Sequence, residues 1–228
     1  MNTLKKLEFK TNAPEAYTRP AFIIVMDGVG LAPDSPGNAV KNALTPTLSM
    51  LMEKYPMVKL KAHGVAVGLP SDEDMGNSEV GHNALGSGQI FDQGAKLVTK
   101  SITSGAMFTS KAWKDVVSVA ETGKTLHFLG LFSDGNVHSH IDHLKAMIEQ
   151  AKKDGVKHVR VHILLDGRDV GETSALDYVR PFEEFLKSIR DDSFDVKIAS
   201  GGGRMNITMD RYEANWPMVE KGWHTHVL

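Results

Sequence analysis

The sequence predicts an α/β fold in which mostly parallel sheets are flanked by helices. Three apolar stretches of strand length, 126–132, 159–165 and 196–199, are separated by two amphipathic stretches of helical length. Neighbouring parallel strands must be joined by a long crossover, usually a helix, so this alternation is typical of a parallel sheet covered on both sides. A further indication is that apolar strands end in or just before Asp-Gly pairs, where the chain can turn away from the sheet.

Length and composition limit the functions that this chain can have. It has 228 residues, a formal net charge of −2 at pH 7 and no cysteine. The nearly neutral charge disfavours nucleic acid or an anionic membrane as the main partner, and the lack of cysteine excludes disulfides and thiolate metal sites. The first twenty residues contain no apolar segment and no long apolar run follows. We therefore expect neither a signal peptide nor a membrane span, and we predict a cytoplasmic protein.

Two strands and a helix are predicted in the first part of the chain. The continuous apolar run 21–26 is typical of a strand buried on both faces, and alternation over 58–61 indicates a strand with one exposed face. Pro46 predicts a helix start, since proline is tolerated in the first helical turn, and this helix should run to about Lys54. Segments rich in Pro, Gly, Asp and Asn predict loops at 31–42 and 70–76.

Two longer helices are predicted in the second part. Apolar residues every three or four positions indicate a helix over 141–153, with Gly155 as its stop. A second helix is indicated over 174–189, in which Pro181 is expected to cause a kink. Shorter helical stretches are expected between residues 93 and 123 and again near the end of the chain.

An Asp-Gly pair stands at the end of three apolar stretches, at Asp27, Asp134 and Asp166. Ligands of open α/β sheets bind beyond the carboxyl ends of the strands, where an acidic side chain can serve as a metal ligand or general base. A solvated turn is the more frequent explanation for any one of them. Three such pairs at the ends of strands favour a functional site at the carboxyl edge of the sheet.

Ser78 lies in the Gly-rich stretch 75–86, where a turn enters a helix. One interpretation is that Ser78 is only the N-cap of this helix, with Glu79 nearby. The other is that the backbone N–H groups and the helix field here hold an anion such as a phosphoryl group. That field stabilises an anion by about 0.3–1 kcal/mol at an exposed site, so a reacting serine would still need a base or a metal ion.

Asp27 is the best candidate for a metal ligand, because a carboxylate at the end of a buried strand is costly to desolvate unless it is paired or coordinated. Together with Ser78 it could hold one divalent ion, but two ligands do not complete a site. The run V-H-S-H-I-D-H at 137–143 is weak as a metal site, since its histidines do not share one helical face. His138 is better explained as a hydrogen-bond donor to a substrate anion. The histidines inside strand patterns, His127, His158 and His162, are expected to be structural.

Three arginines, Arg168, Arg204 and Arg211, follow strand ends or glycine turns. A guanidinium group binds phosphate or carboxylate through charge-assisted hydrogen bonds. Each arginine alone is more often a surface ion-pair partner, but three at one edge would suit a small dianion. Glycines 201–203 could add a nest of backbone N–H groups, and Asp169 is a candidate for proton transfer.

These motifs together resemble the family of cofactor-independent phosphoglycerate mutases, over almost the whole chain. The matching motifs are M-D-G-V-G at 26–30, G-N-S-E-V-G-H-N at 76–83, S-D-G-N-V-H-S-H at 133–140, L-D-G-R-D at 165–169, and G-G-R followed by M-D-R within 202–211. Several separate motifs in one order are more specific than any single motif, and they favour the functional interpretation of Ser78.

The resemblance implies a two-domain metalloenzyme. Residues 1–92 would be the N-terminal piece of an alkaline-phosphatase-like, metal-binding domain, and residues 93–228 would be most of an inserted α/β domain that binds the substrate. The family uses two divalent ions, Mn²⁺ first with Mg²⁺ or Co²⁺ as alternatives, and no bisphosphoglycerate. It interconverts 3-phosphoglycerate and 2-phosphoglycerate through a phosphoserine, in glycolysis and gluconeogenesis.

The resemblance also implies roles for individual residues. Ser78 would take the phosphoryl group, and Asp27 and Ser78 would be ligands of one metal ion. Asp169 would transfer protons at the glycerate hydroxyls. The residues that would bind the substrate are His138, Arg168, Asp169, Arg204 and Arg211.

The chain departs from the family in its length. Members of the family are much longer, and their remaining metal ligands, two arginines and a lysine come from the later part of their sequence. We therefore expect a fragment that does not turn over alone, that requires the C-terminal half of the same enzyme, and that is a monomer when complete.

Two other functions stay open on the sequence. Another phosphatase or a phosphopentomutase of the alkaline phosphatase superfamily would need the nucleophile, but not the D-G-R-D motif or the His138 loop. A non-catalytic phosphoglycerate-binding module would use only the arginine and histidine side chains.

Overall fold

The structure, a computed structural model, describes residues 22–210 and 212–228. It divides into two compact units, with the boundary between Met57 and Val58. The first unit contains the short helix α1 (Ala39–Asn42) and helix α2 (Pro46–Lys54). Helix α2 has proline in its first turn, as predicted, whereas α1 lies within a segment that was expected to be a loop.

The second unit contains all the strands in the described residues. These strands are β1 (Thr125–Phe132), β2 (His158–Leu165) and β3 (Asp195–Gly203). A 3-10 helix (Gly64–Val67) comes first, followed by α3 (Ser78–Ser87), α4 (Gly94–Thr103), α5 (Ala106–Thr109), α6 (Lys111–Val117), α7 (Val119–Thr122), α8 (Ile141–Lys153), α9 (Ala175–Ile189) and α10 (Trp216–His226). The predicted alternation of strands and helices from residue 125 onwards is confirmed.

The three strands form one parallel sheet in the order β1-β2-β3, which confirms the α/β class. The pairing ends with Phe132 beside Leu165 and Leu165 beside Gly203. All three strands therefore end at the same edge of the sheet. The loops that follow them are neighbours in space although they are far apart in sequence.

Helices α8 and α9 pack against one face of this sheet. Ile148 of α8 and Phe182 of α9 belong to the same buried cluster as Val159 and Val161, and the Phe132 and Phe182 rings meet edge to face at 4.9 Å between their centroids. The other face carries polar side chains, among them His127 and His162. Their ring nitrogens lie 2.9 Å apart, which supports the structural role expected of both histidines.

Two predicted strands are wrong. Residues 22–26 and 58–61 have no strand conformation, and their apolar side chains are largely exposed, with Ile23 at 86% and Val58 at 81%. A strand is stable only when neighbouring strands satisfy its backbone hydrogen bonds. Within the described residues the only sheet consists of β1, β2 and β3, so these segments have no strand to pair with.

The glycine run 201–203 was predicted to form an anion-binding nest, and this prediction is also wrong. The three glycines are the last residues of β3 and pair with Ile163, Leu164 and Leu165 of β2. Their small size has a packing reason instead, since a Cβ on Gly202 would lie 2.4 Å from the Ile207 side chain. Helix α9 continues through Pro181, so this proline does not end it.

Nowhere in the described part of the chain does a helix have both the length and the apolar character needed to cross a membrane.

Candidate functional site

The carboxyl edge of the sheet opens onto a cleft of about 800 Å³ within the second unit. Five of the residues predicted from the sequence line it together, namely Ser78, His138, Arg168, Asp169 and Arg204. They come from three loops and from the start of α3. The cleft brings a hydroxyl group next to cationic and acidic side chains, as a phosphoryl-transfer site requires.

Ser78 is the first residue of α3 and is exposed. Its interpretation as the N-cap is wrong, because the cap is Asn77, whose side-chain oxygen accepts a hydrogen bond from the Val80 N–H at 3.0 Å. The preference for a polar residue at the helix start is therefore satisfied one position earlier. The position of Ser78 at a helix N-terminus favours an anion beside it.

The loop that delivers Ser78, residues 70–77, is folded tightly on itself. The Ser71 N–H and Oγ donate to Asp74 Oδ2 at 2.6 and 2.8 Å, and the Gly64 N–H donates to the Asp74 carbonyl at 3.1 Å. Gly76 passes so close to Ala62 that a Cβ would lie 2.0 Å from the Ala62 carbonyl oxygen. These contacts fix the backbone that enters α3.

Asp166 is buried and binds the loops that carry Arg168, Asp169 and Arg204 at the cleft. Its Oδ2 accepts a hydrogen bond from Ser133 Oγ at 2.6 Å, and its Oδ1 accepts from the Arg168 and Asp169 N–H groups at 3.2 and 3.1 Å. Arg204 Nη1 adds an ion pair at 3.0 Å, and the side chains of Asp166 and Arg204 are 0% and 8% exposed. Asp166 thus holds the ends of β1, β2 and β3 together.

This environment sets the ionisation of Asp166. Burial raises the pKa of the carboxyl group, but hydrogen bonds from Ser133, two backbone N–H groups and Arg204 outweigh burial and hold the pKa below its usual range. The Asp-Gly pattern had suggested a metal ligand or general base at this edge. For Asp166 the structure shows a buried anchor, while Asp134 of the same pattern is exposed.

Asp169 lies between the guanidinium group of Arg204 and the imidazole ring of His138 at the cleft surface. Its Oδ2 is 3.0 Å from Arg204 Nη1 and 4.0 Å from His138 Nε2. Asp169 and Asp166 both use the Nη1 nitrogen of Arg204, so the other N–H groups of the guanidinium are not consumed by these carboxylates. A carboxylate in this position can exchange a proton with a ligand that Arg204 and His138 hold.

The other predicted site residues are not part of this arrangement. Arg211 lies outside the described residues. Asp27 belongs to the first unit, where its Oδ1 accepts the Gly28 N–H at 3.1 Å, so its partnership with Ser78 at one metal ion stays a prediction. Oxygen ligands of this kind suit a hard divalent ion. However, the described residues contain no group of three or more His, Asp or Glu side chains arranged to hold a metal.

The histidine run after β1 has structural roles, in agreement with its weak metal pattern. His140 is the N-cap of α8 and accepts the Asp142 N–H at 3.1 Å. His143 Nε2 lies 2.8 Å from Thr99 Oγ1, and burial lowers its pKa, with the charge of His140 as a second cause. Only His138 of this run lines the cleft around Ser78.

Sequence reasoning missed several residues of the site. Asn77 was overlooked as the cap, and Asn136 and Asp74 were not recognised as partners, although Asn136 Nδ2 donates to Asp74 Oδ1 at 2.8 Å. Apolar walls were missed as well, because nothing in the pattern marks the methionines that line the cleft, Met75, Met205, Met209 and Met218. The residue type of Asn136 was the one available signal, since asparagine tolerates the left-handed backbone that this position adopts, with a φ of 55°.

Comparisons with known proteins find relatives of this chain. The family model for the N-terminus of BPG-independent PGAM matches residues 98–228. A probable 2,3-bisphosphoglycerate-independent phosphoglycerate mutase of Leptospira interrogans is 57% identical over 100% of this chain, and phosphoglycerate mutase 1 of Arabidopsis thaliana, also 2,3-bisphosphoglycerate-independent, is 49% identical over 98%. The chain spans 41% and 40% of the lengths of these relatives.

A solved structure has the same fold. Leishmania mexicana phosphoglycerate mutase, crystallised at low cobalt concentration, superposes with a TM-score of 0.80 at 47% identity. The match covers 88% of this chain and 37% of that structure. The shared part therefore lies within a much longer chain.

Proposed function

The chain belongs to the family of 2,3-bisphosphoglycerate-independent phosphoglycerate mutases, and we propose that it supplies the phosphoryl-accepting serine and part of the substrate site of such an enzyme. The observation that carries this proposal is the shared cleft. It places Ser78, at a helix N-terminus, in one cavity with Arg168, Arg204, His138 and Asp169. We further propose that the complete enzyme is a cytoplasmic monomer.

The cations of the cleft suit a phosphorylated three-carbon acid. Such a substrate carries a carboxylate and a phosphate, and guanidinium groups bind both through paired charge-assisted hydrogen bonds. Arg204 is already oriented by Asp166 and Asp169, so little side-chain freedom is lost when it binds an anion. His138 and Arg168 are exposed and line the same cleft.

The proposed reaction has two phosphoryl transfers. In the first, Ser78 Oγ gives up its proton and forms a bond to phosphorus while the bond from phosphorus to the 3-oxygen of glycerate breaks, and the 3-oxygen takes a proton. In the second, the 2-hydroxyl gives up a proton and its oxygen forms a bond to phosphorus while the bond from phosphorus to Ser78 Oγ breaks, and Ser78 Oγ takes a proton back. Asp169 is placed to carry the protons of the two glycerate oxygens, because it lies beside the groups that hold the glycerate.

Ser78 needs help to react, since an alcohol is a weak nucleophile at neutral pH. We propose that Asp27 and Ser78 provide two of the ligands of a divalent ion, of which Mn²⁺ is the first candidate, and that the family's second ion is bound elsewhere in the complete enzyme. A bound divalent ion would lower the pKa of the serine hydroxyl, as it does for bound water.

A chimera tests the proposed function. The chain would be fused to the C-terminal portion of the Leptospira interrogans relative that lies beyond the matched 41%. We expect mutase activity in an enolase-coupled assay that is lost with a chelator and restored by Mn²⁺, and no turnover from the chain alone.

Three outcomes would overturn the proposal. One is turnover by the chain alone. The second is release of inorganic phosphate without 2-phosphoglycerate, which would favour a phosphatase. The third is a folded but inactive chimera under conditions in which the parent relative is active. Phosphoglycerate binding that ignores chelators and survives Ser78→Ala would instead indicate a non-catalytic binding module.

A further inference from the structure

A side-chain hydrogen bond links the loop that delivers Ser78 to the loop that carries His138. Asn136 Nδ2 donates to Asp74 Oδ1 at 2.8 Å, across 62 positions of sequence. Both residues are half-buried, and neither belongs to the helices or strands. The contact therefore has no role in holding a regular element together.

The Asp74 end of this contact is rigid. The second oxygen of the same carboxylate accepts both hydrogen bonds of Ser71, and the Asp74 carbonyl accepts the Gly64 N–H. Burial raises the pKa of Asp74, but the hydrogen bonds from Asn136 and Ser71 outweigh burial and lower it, so the acceptor is a carboxylate at neutral pH. Only three residues lie between Asp74 and Ser78.

The Asn136 end leads directly to the anion-binding side chains. Gly135 beside it donates its N–H to Ser133 Oγ at 3.1 Å, and Ser133 Oγ donates to Asp166, which holds Arg204. A Cβ on Gly135 would lie 3.3 Å from Asp169 Cβ, so the loop after β1 contacts the loop after β2. Asn136 itself has a left-handed backbone that fixes the direction of its side chain.

We propose that the Asp74–Asn136 hydrogen bond is a positioning contact that sets the separation between Ser78 and the Arg204–Asp169 pair. Its consequence for catalysis rests on the proposed function, whereas the separation itself does not. Phosphoryl transfer requires the attacking oxygen in line with the phosphorus, and an error of about 1 Å can reduce the rate by up to about 100-fold. Asp74 and Asn136 thus act through other residues and touch no reacting atom.

Three variants isolate the contact. Asn136→Gly removes the amide and tolerates the positive φ of this position. Asn136→Asp places two carboxylates against each other. Adding Asp74→Asn to Asn136→Asp restores the bond with the roles exchanged, because the new Asn amide can donate to the new Asp while its oxygen keeps the Ser71 hydrogen bonds. Glu73→Gln alters the neighbouring carboxylate and serves as the control.

The separation can be measured in the chain without any activity. The chain has no cysteine, so cysteines introduced at Ser87 on α3 and Glu149 on α8, both exposed, can carry spin labels for distance measurement. We expect a narrow distance distribution for the parent and for Glu73→Gln, a broader one for Asn136→Gly and Asn136→Asp, and recovery in the exchanged pair. Unchanged distributions in both single variants would overturn the proposal.

The same variants in the chimera separate positioning from general destabilisation. We expect Asn136→Asp to lower kcat by about 10-fold to 100-fold with KM nearly unchanged, and the exchanged pair to recover most of the loss. A loss that the exchange does not rescue would contradict a positioning role. If the distances respond but the chimera has no activity in any form, the proposed function fails while the contact stands.

Discussion

Ser78→Ala is expected to reduce mutase activity of the completed enzyme by more than about 10⁴-fold, because the phosphoryl group would have no acceptor. The side chain is exposed at the first position of α3, and the N-cap of this helix is Asn77, so the protein should remain folded. The enolase-coupled assay of the chimera measures the loss. Ser87→Ala, at the other end of the same helix and also exposed, is the matched control and should keep activity.

Full activity in Ser78→Ala would remove the serine from the mechanism. An equal loss in Ser87→Ala would show that the helix tolerates no small change, and the comparison would then need Ser78→Cys or Ser78→Thr, each of which keeps a nucleophilic atom. Partial activity in one of these, with none in Ser78→Ala, is the pattern that an attacking oxygen predicts.

Asp166→Asn is expected to lower the free energy of unfolding of the chain by about 3 kcal/mol, since removing one partner of a buried ion pair leaves the buried charge of Arg204 less well compensated. Arg204 would retain Asp169 but lose its fully buried partner, and the Arg168 and Asp169 N–H groups would lose a charged acceptor. Urea unfolding followed by circular dichroism measures the change as a shift of midpoint at constant slope.

Asp134→Asn is the matched control for Asp166→Asn. Asp134 belongs to the same Asp-Gly pattern at the end of a strand, but its side chain is exposed. Its replacement should cost no more than about 1 kcal/mol, which is the net contribution of one hydrogen bond, here to Tyr178. Equal losses in the two variants would contradict the role of Asp166 as a buried anchor.

The lowered pKa of Asp166 predicts a second effect of Asp166→Asn, on the pH dependence of stability. A carboxyl group whose pKa is depressed in the folded state contributes stability that is complete above its unfolded-state pKa of about 4 and is lost as the pH falls through the lower folded-state pKa. The parent should therefore lose stability in acid more steeply than Asp166→Asn. If the free energy of unfolding fell equally steeply with pH in the parent and in Asp166→Asn, the lowered pKa assigned to Asp166 would be contradicted.

The sequence predicted the sheet and its helices well because each of these elements carries its own periodic signal. Helix α8 has the predicted bounds, and Gly155 takes a positive φ of 85° just beyond it. The failures at 22–26 and 58–61 have one physical cause. An apolar run shows that a segment can be a strand, but pairing depends on strands elsewhere in the chain, which a local pattern does not contain.

The site was predicted in part. Side chains that follow strand ends, such as Arg204 and Asp169, could be placed at one edge because parallel strands share their direction. The different roles of Asp166, a buried anchor, and Asp169, a carboxylate at the cleft surface, could not be predicted. Both belong to one D-G-R-D motif, and only their burial distinguishes them. The Asp74–Asn136 contact escaped for a similar reason, because a pair so distant in sequence leaves no local pattern.

The most direct test of the proposed function is to trap the phosphoserine intermediate at Ser78. The chimera would be mixed with 3-phosphoglycerate and Mn²⁺, quenched in acid during turnover, and digested for mass spectrometry. We expect a phosphoryl group on Ser78 in a fraction of the molecules, and none without substrate or without the ion. Product formation with Ser78 never modified, or with the phosphoryl group on another side chain, would contradict it.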